Sequence, residues 1–180
     1  MRLKGRRGMM RQQPSPAQTI IDKGGTSSLP PIAKLSYMGG MSAPLYNKDI
    51  LRLAASIPHH QRLADPQATV EKRSPTCGSR VTADICMEDG RVANLGLDVK
   101  ACALGQASAA LMAAQAIGMS TQELAEARDK LTDYLSGRSD DLDFWPGLAV
   151  LAPARGYPAR HASIRLGFEA IAEAARMADA

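Results

Sequence analysis

The chain has 180 residues, of which 45% are apolar and only 4% aromatic, and its formal net charge is +4. That length supports one domain with an aliphatic, Ala-rich core and some tail. No apolar run reaches the ~18 residues of a membrane span, and no secretory h-region opens the chain. The charge is uneven: residues 1–40 carry seven Lys/Arg against one Asp, and residues 41–180 carry fifteen against seventeen acidic residues. The folded part is therefore mildly acidic, and the basic total gives no argument for nucleic acid as a partner. Three cysteines are too few for a disulfide framework, so a cytoplasmic, reducing location is expected.

Residues 1–40 have no sustained period and are rich in Gly, Pro, Ser, Gln and Arg, which predicts a disordered basic tail ahead of a domain at 41–180. An organellar targeting segment and an upstream start codon are the rival readings; against the first, Gly5, Gly8, Pro14 and Pro16 break any amphipathic helix. "NKDILRLAASI" predicts a short helix capped by Asn47, with Ile50, Leu51, Leu53, Ala54 and Ile57 on its apolar side and Pro58 as its stop. "ATVEKR" predicts a short strand. "RVTADICM" and "RVANLGLDV" predict two longer ones joined at Glu88-Asp89-Gly90.

Two hairpin registers compete. A two-residue Asp-Gly loop places Val81, Ala83 and Ile85 on the face of Asp98, Gly96 and Asn94. A three-residue loop with Gly90 left-handed places them on the face of Leu97, Leu95 and Ala93, with Met87 and Val99, and leaves one face dry and the other polar. The second register is expected. Extended, it sets Cys77 opposite Ala101, beside Cys102.

"ALGQASAALMAAQAIG" is apolar nearly all round, so it predicts a buried helix ending at Gly118. "STQELAEARDKLTDYLSG" predicts a helix with a Ser120–Glu123 capping box, an inner face of Leu124, Ala127, Leu131 and Leu135, and a stop at Gly137. An irregular connector follows, with a short helix at 147–152. The last helix turns Ile164, Phe168, Ile171 and Ala175 inward. The expected fold class is α+β: a small antiparallel three-stranded sheet, helices packed on one face, and a C-terminal helix.

Cys77 falls on a loop after Pro75-Thr76 and before Gly78, and Cys102 falls where the third strand gives way to the buried helix. Helix N-termini favour a thiolate, and a thiolate pair is a soft site for Fe or Zn. Singly, each cysteine reads as a small buried hydrophobe; brought together by the hairpin, they read as a pair. Cys86 lies on the polar side of its strand, ~30 Å of extended chain from Cys77, and reads as a bystander. His161 and Ser163 begin the last helix and are more often capping or surface residues; His59-His60 reads as a solvated turn. No Cys-His-Asp spacing supports hydrolysis, so the chain does not read as an enzyme.

The stretch "SPTCGSRVTADICMEDGRVANLGLDVKACALGQASAALM" resembles the core motif of the NifU/IscU-type iron–sulfur cluster assembly scaffolds, in the SufU-like branch. Pro75, Cys77 and Gly78 match its first element. Ala101-Cys102 and Ala107-Ser108-Ala109 match its second, and "YPARHASIRLGFEAI" is similar to its last; the likeness spans about residues 42 to 175. The chain departs from the pattern at Ser79, where the family has Asp, and at Ser163, where it has a third Cys. The resemblance implies a scaffold that receives iron and sulfide, holds iron or a nascent cluster at Cys77 and Cys102, and passes it to acceptor apo-proteins, with a cysteine desulfurase as partner. Ser79, Ser163 and His161 are the further candidates for the metal, and Zn is an alternative occupant. Two cysteines imply a cluster shared between two subunits of a homodimer, or one completed by a donor or acceptor protein. The alternatives are a degenerate homologue that binds no cluster and acts as an interaction or regulatory module, and, ranked last, a thiol enzyme or sulfur acceptor with Cys102 activated by its helix N-terminus.

Overall fold

Asn47 accepts the Ile50 N–H at 2.9 Å and so starts α1, Lys48–Ala55, whose Ile50 is buried. The structure, a computed structural model, describes residues 45–180; the tail expected at 1–40 lies outside the described residues. Three strands follow, β1 (Ala68–Arg73), β2 (Arg80–Glu88) and β3 (Arg91–Lys100), in an antiparallel sheet of order β1-β2-β3. Then come α2 (Ala103–Ala116), α3 (Thr121–Ser136), a 3-10 segment (Leu148–Gly156) and α4 (Pro158–Ala178). α4 packs on β1 and β2, α2 on β3 and α4, α1 on α2, and α3 on α4. The helices thus lie on one face of the sheet, and Val81, Ala83, Ile85, Leu95, Leu97 and Val99 meet them in an aliphatic core.

The β2–β3 register departs from the expected one. Val81 faces Val99 rather than Leu97, and Ala83 faces Leu97 rather than Leu95. The loop is the tight two-residue one: Asp89 and Gly90 both take positive φ, 51° and 70°, and Glu88 pairs with Arg91. A bulge then shifts the pairing between Met87↔Val92 and Cys86↔Asn94, spending one extra residue on β3. Each device alone would misplace a face, but together they restore the alternation, which is why the dry face survives with Val92 in place of Ala93. The ladder ends at Arg80↔Lys100, so Cys77 is not laid opposite Ala101 but sits in the β1–β2 loop.

The other face of the sheet is not left to water. Residues 59–63 cross it, and Leu97 N–H donates to the carbonyls of His59 and Gln61 at 2.9 and 3.1 Å. Asp84 on β2 is fully buried beneath this segment. It accepts from Arg62 Nη2 at 2.8 Å, the Leu63 N–H at 3.0 Å and the Thr69 hydroxyl at 2.6 Å. Burial alone would push its carboxyl up, but Arg62, Thr69 and Leu63 outweigh burial and hold it below its ordinary 3.8. The stability this gives is full above the unfolded value and is lost as the pH falls through the lower folded one. Asp84→Asn is expected to cost about 2 kcal/mol near neutral pH, with the gap to the parent closing in acid. Urea unfolding of both proteins across that range measures it.

The connector after α3 is more ordered than its sequence suggests. Trp145 donates its indole N–H to Leu111 O at 3.0 Å and meets Phe168 edge-on, with ring centroids 5.5 Å apart. Leu148, Leu151 and Ala154 of the 3-10 segment complete that side of the core.

Candidate metal centre

Strands β1 and β2 are joined by residues 74–79, a loop closed by Ser74 N–H donating to Ser79 O at 2.8 Å. Ser74 and Ser79 anchor it, 4% and 5% exposed, while Pro75 to Gly78 project outward. Cys77 is exposed; its Sγ lies 3.1 Å from Ser79 Oγ and 3.3 Å from Ser74 Oγ. Cys102 is the N-cap of α2, with extended backbone and no side-chain capping bond, and its Sγ lies 3.3 Å from Ser163 Oγ. Ser163, fully buried in the second turn of α4, donates its hydroxyl to Ser79 Oγ at 3.2 Å. The two thiols are thus joined through two hydroxyls by steps of 3.1 to 3.3 Å.

Close packing of two helices makes this possible. A Cβ at position 105 would stand 2.5 Å from Ser163 Oγ and 2.9 Å from Ser163 O, so only glycine lets α2 approach α4 here. Ser108, also buried, ties the same crossing with a 2.6 Å bond to Ile164 O.

The hydroxyls bear on ionisation. Ser74, then Ser79, can turn their O–H groups to a thiolate, and they lower the Cys77 thiol from 9.0 to about 7 against the opposing effect of burial. Alkylation of Cys77 by iodoacetamide is expected to rise through a midpoint near that value. Ser74→Ala should move the midpoint back toward 9.0. Rates followed by intact mass across pH test this, and a parent midpoint already near 9.0 would contradict it.

The other residues singled out in the sequence fall elsewhere. His161 Nε2 lies 3.0 Å from Arg155 O and 3.2 Å from Ala154 O, turned onto the 3-10 segment. Cys86 Sγ is 3.5 Å from Asp65 O, far along β2 from the loop. His60 Nε2 accepts the Val99 N–H at 3.3 Å. Among the described residues no group of three or more His, Cys, Asp or Glu is placed to hold a metal ion. Sequence reasoning missed Ser74 and Gly105; the signals were a serine opening a strand-to-strand loop and a glycine inside an apolar helix. A groove of about 320 Å³ between α2, α3 and residues 144–146 contains none of the cysteines.

No family model matches the chain. It is 39% identical to the N-terminal part of a nitrogen-fixing NifU-like protein from Brucella abortus, a solved structure of which it covers 94%, with 75% of its own length and a TM-score of 0.70. The chain belongs to the NifU/IscU-type family of iron–sulfur cluster assembly scaffolds. A scaffold protein IscU from Thermotoga maritima is 26% identical over 72% of this chain and 92% of its own length. The crystal structure of a SufU assembly protein from Fervidobacterium islandicum shares the NifU/IscU fold, at 21% identity and a TM-score of 0.68 over 73% of this chain and 96% of that one. The relatives are named as scaffolds rather than enzymes. Among the described residues no helix is long and apolar enough to cross a membrane.

Proposed function

We propose that this chain is an iron–sulfur cluster assembly scaffold whose cargo is held by Cys77 and Cys102. The observation that carries the reading is the hydroxyl-linked pair of thiols, one exposed and one half-buried, at a single end of the fold. Thiolates are soft donors suited to Fe and Zn, whereas the neutral hydroxyls of Ser79 and Ser163 are poor ligands. The serines orient the sulfurs, and the cysteines bind. An exposed Cys77 suits a cargo that must arrive and leave: a cysteine desulfurase supplies sulfur, and acceptor apo-proteins take the product. The chain acts as a cytoplasmic carrier, not an enzyme, and Zn competes for the same thiolates.

Anaerobic reconstitution with iron and sulfide tests this. Visible cluster absorption in the parent, lost in Cys77→Ser and kept in Cys86→Ser, is the expected result. A colourless parent that still binds desulfurase would instead make the chain a degenerate interaction module or a sulfur acceptor.

A further inference from the structure

The sheet ends beside the cysteines in a row of three cations. Arg73, the last residue of β1, pairs with Arg80, the first of β2, and Arg80 pairs with Lys100, the last of β3. Directly opposed residues share a face, and like charges set opposite one another oppose pairing. Val81 and Val99, the neighbours of Arg80 and Lys100, point into the core, so the row stands on the face away from the helices. In the next row, Glu71 and Asp98 flank Thr82. These two carboxylates answer three cations: Glu71 lies 2.7 Å from Arg73 and 3.5 Å from Arg80, and Asp98 lies 3.4 Å from Arg80 and 3.6 Å from Lys100. Among the described residues Arg80 Nε is buried without a hydrogen-bond partner, while the Arg73 and Lys100 side chains are 67% and 66% exposed. One positive charge is left over, in a chain whose residues 41–180 carry fifteen Lys/Arg against seventeen acidic residues.

We propose that this row is a docking surface for an acidic helix of a partner protein, seated against the loop that carries Cys77. Neighbouring strands are about 4.8 Å apart, so the three cations span roughly 10 Å. Carboxylates on successive turns of a helix recur every ~5.4 Å, so a helix laid across the strands offers one to each cation. Arg73 and Arg80 bracket residues 74–79, and Lys100 lies two residues before Cys102, so the occupant lies beside both cysteine-bearing segments. A partner steered there by charge arrives at the exposed Cys77. A long polyanion such as nucleic acid would meet the acidic remainder of the chain's folded part, which favours a short acidic segment. The surface stands on geometry and charge; that the docked partner exchanges cargo rests on the scaffold reading above.

The unloaded full chain is titrated against a fluorescent, Ala-rich stapled helix bearing Glu at every fourth position, and anisotropy is read at low and high salt. The expected result is binding that weakens as salt rises and exceeds that of a same-composition helix with its Glu spread round the circumference. Arg73→Gln together with Lys100→Gln should weaken it about fivefold, as two exposed ion pairs allow. Arg73→Lys, which keeps the charge, and Arg176→Gln, at the far end of α4, should leave it unchanged. The double variant removes like charge from beside Arg80, so it should melt at or above the parent. The basic residues of 1–40 are common to every variant, so the differences between variants read the row alone. Equal binding of the two helices, or equal affinity in parent and double variant, would overturn the proposal. So would a double variant that melts below the parent, since the row would then be a brace within the sheet. A single-stranded oligonucleotide that loses as much affinity as the helix in the double variant would assign the row to phosphate and overturn it too. None of these outcomes touches cluster reconstitution, and a colourless reconstitution would remove the scaffold reading while leaving the docking result standing.

Discussion

Cys102→Ser is expected to abolish cluster retention while leaving the fold intact. Cys102 is the N-cap of α2, in extended backbone at φ −65° and ψ 164°, and its side chain makes no capping bond. Serine is a preferred N-cap, because its short hydroxyl can accept from the open N–H groups of the first turn. The substitution therefore removes a sulfur donor, while the serine hydroxyl can still bond to Ser163, which the Cys102 Sγ contacts at 3.3 Å. Thermal stability should hold or rise slightly. Iron bound after gel filtration should fall at least ~tenfold, equivalent to about 1.4 kcal/mol of binding free energy. Equal iron in parent and variant would take Cys102 out of the site.

Gly105→Ala has the largest expected effect on the scaffold itself. The added methyl would meet Ser163 Oγ at 2.5 Å, Ser163 O at 2.9 Å and Ala101 Cβ at 2.9 Å, and two of these three belong to a fully buried residue that cannot move aside cheaply. Relief requires α2 and α4 to separate, which costs about 2–3 kcal/mol as overpacking and pulls Ser163 from Cys102 and Ser79. Urea unfolding should show that loss, and cluster loading should drop with it. Gly156→Ala is the control, because a Cβ there meets nothing within 4 Å. A Gly105→Ala protein as stable as this control would mean that the helix crossing is slack.

Local chemistry made much of the fold legible. The Asn47 cap, the Ser120–Glu123 capping box and the left-handed Gly137 stop all follow from residues within one turn of each other, and all three are present. The apolar alternation of β2 and β3 identified the buried face even though the register was two residues out, because a shift of two preserves which side chains point inward. The exact register depended on a tight turn and a bulge acting together, and alternation alone does not distinguish that from a longer loop. The connector core was not legible: Trp145 bonds to a carbonyl 34 positions away, and its 3-10 segment, interrupted by Pro153, carries no helical period. At the site, Cys77 and Cys102 stood out as residue types. Their coupling runs through Ser79 and Ser163, 84 positions apart, and hydroxyl contacts at that separation leave no sequence period.

A scaffold must hand its cargo on, and transfer to an acceptor tests that directly. The chain loaded with iron and sulfide is mixed anaerobically with a [2Fe–2S] apo-ferredoxin and an excess of iron chelator, and the acceptor's circular dichroism is followed. The account predicts that the acceptor gains its cluster faster than from free iron and sulfide at equal concentrations, that the chelator does not intercept it, and that Cys77→Ser abolishes the advantage. Transfer no faster than from free iron and sulfide, or cargo lost entirely to the chelator, would contradict it.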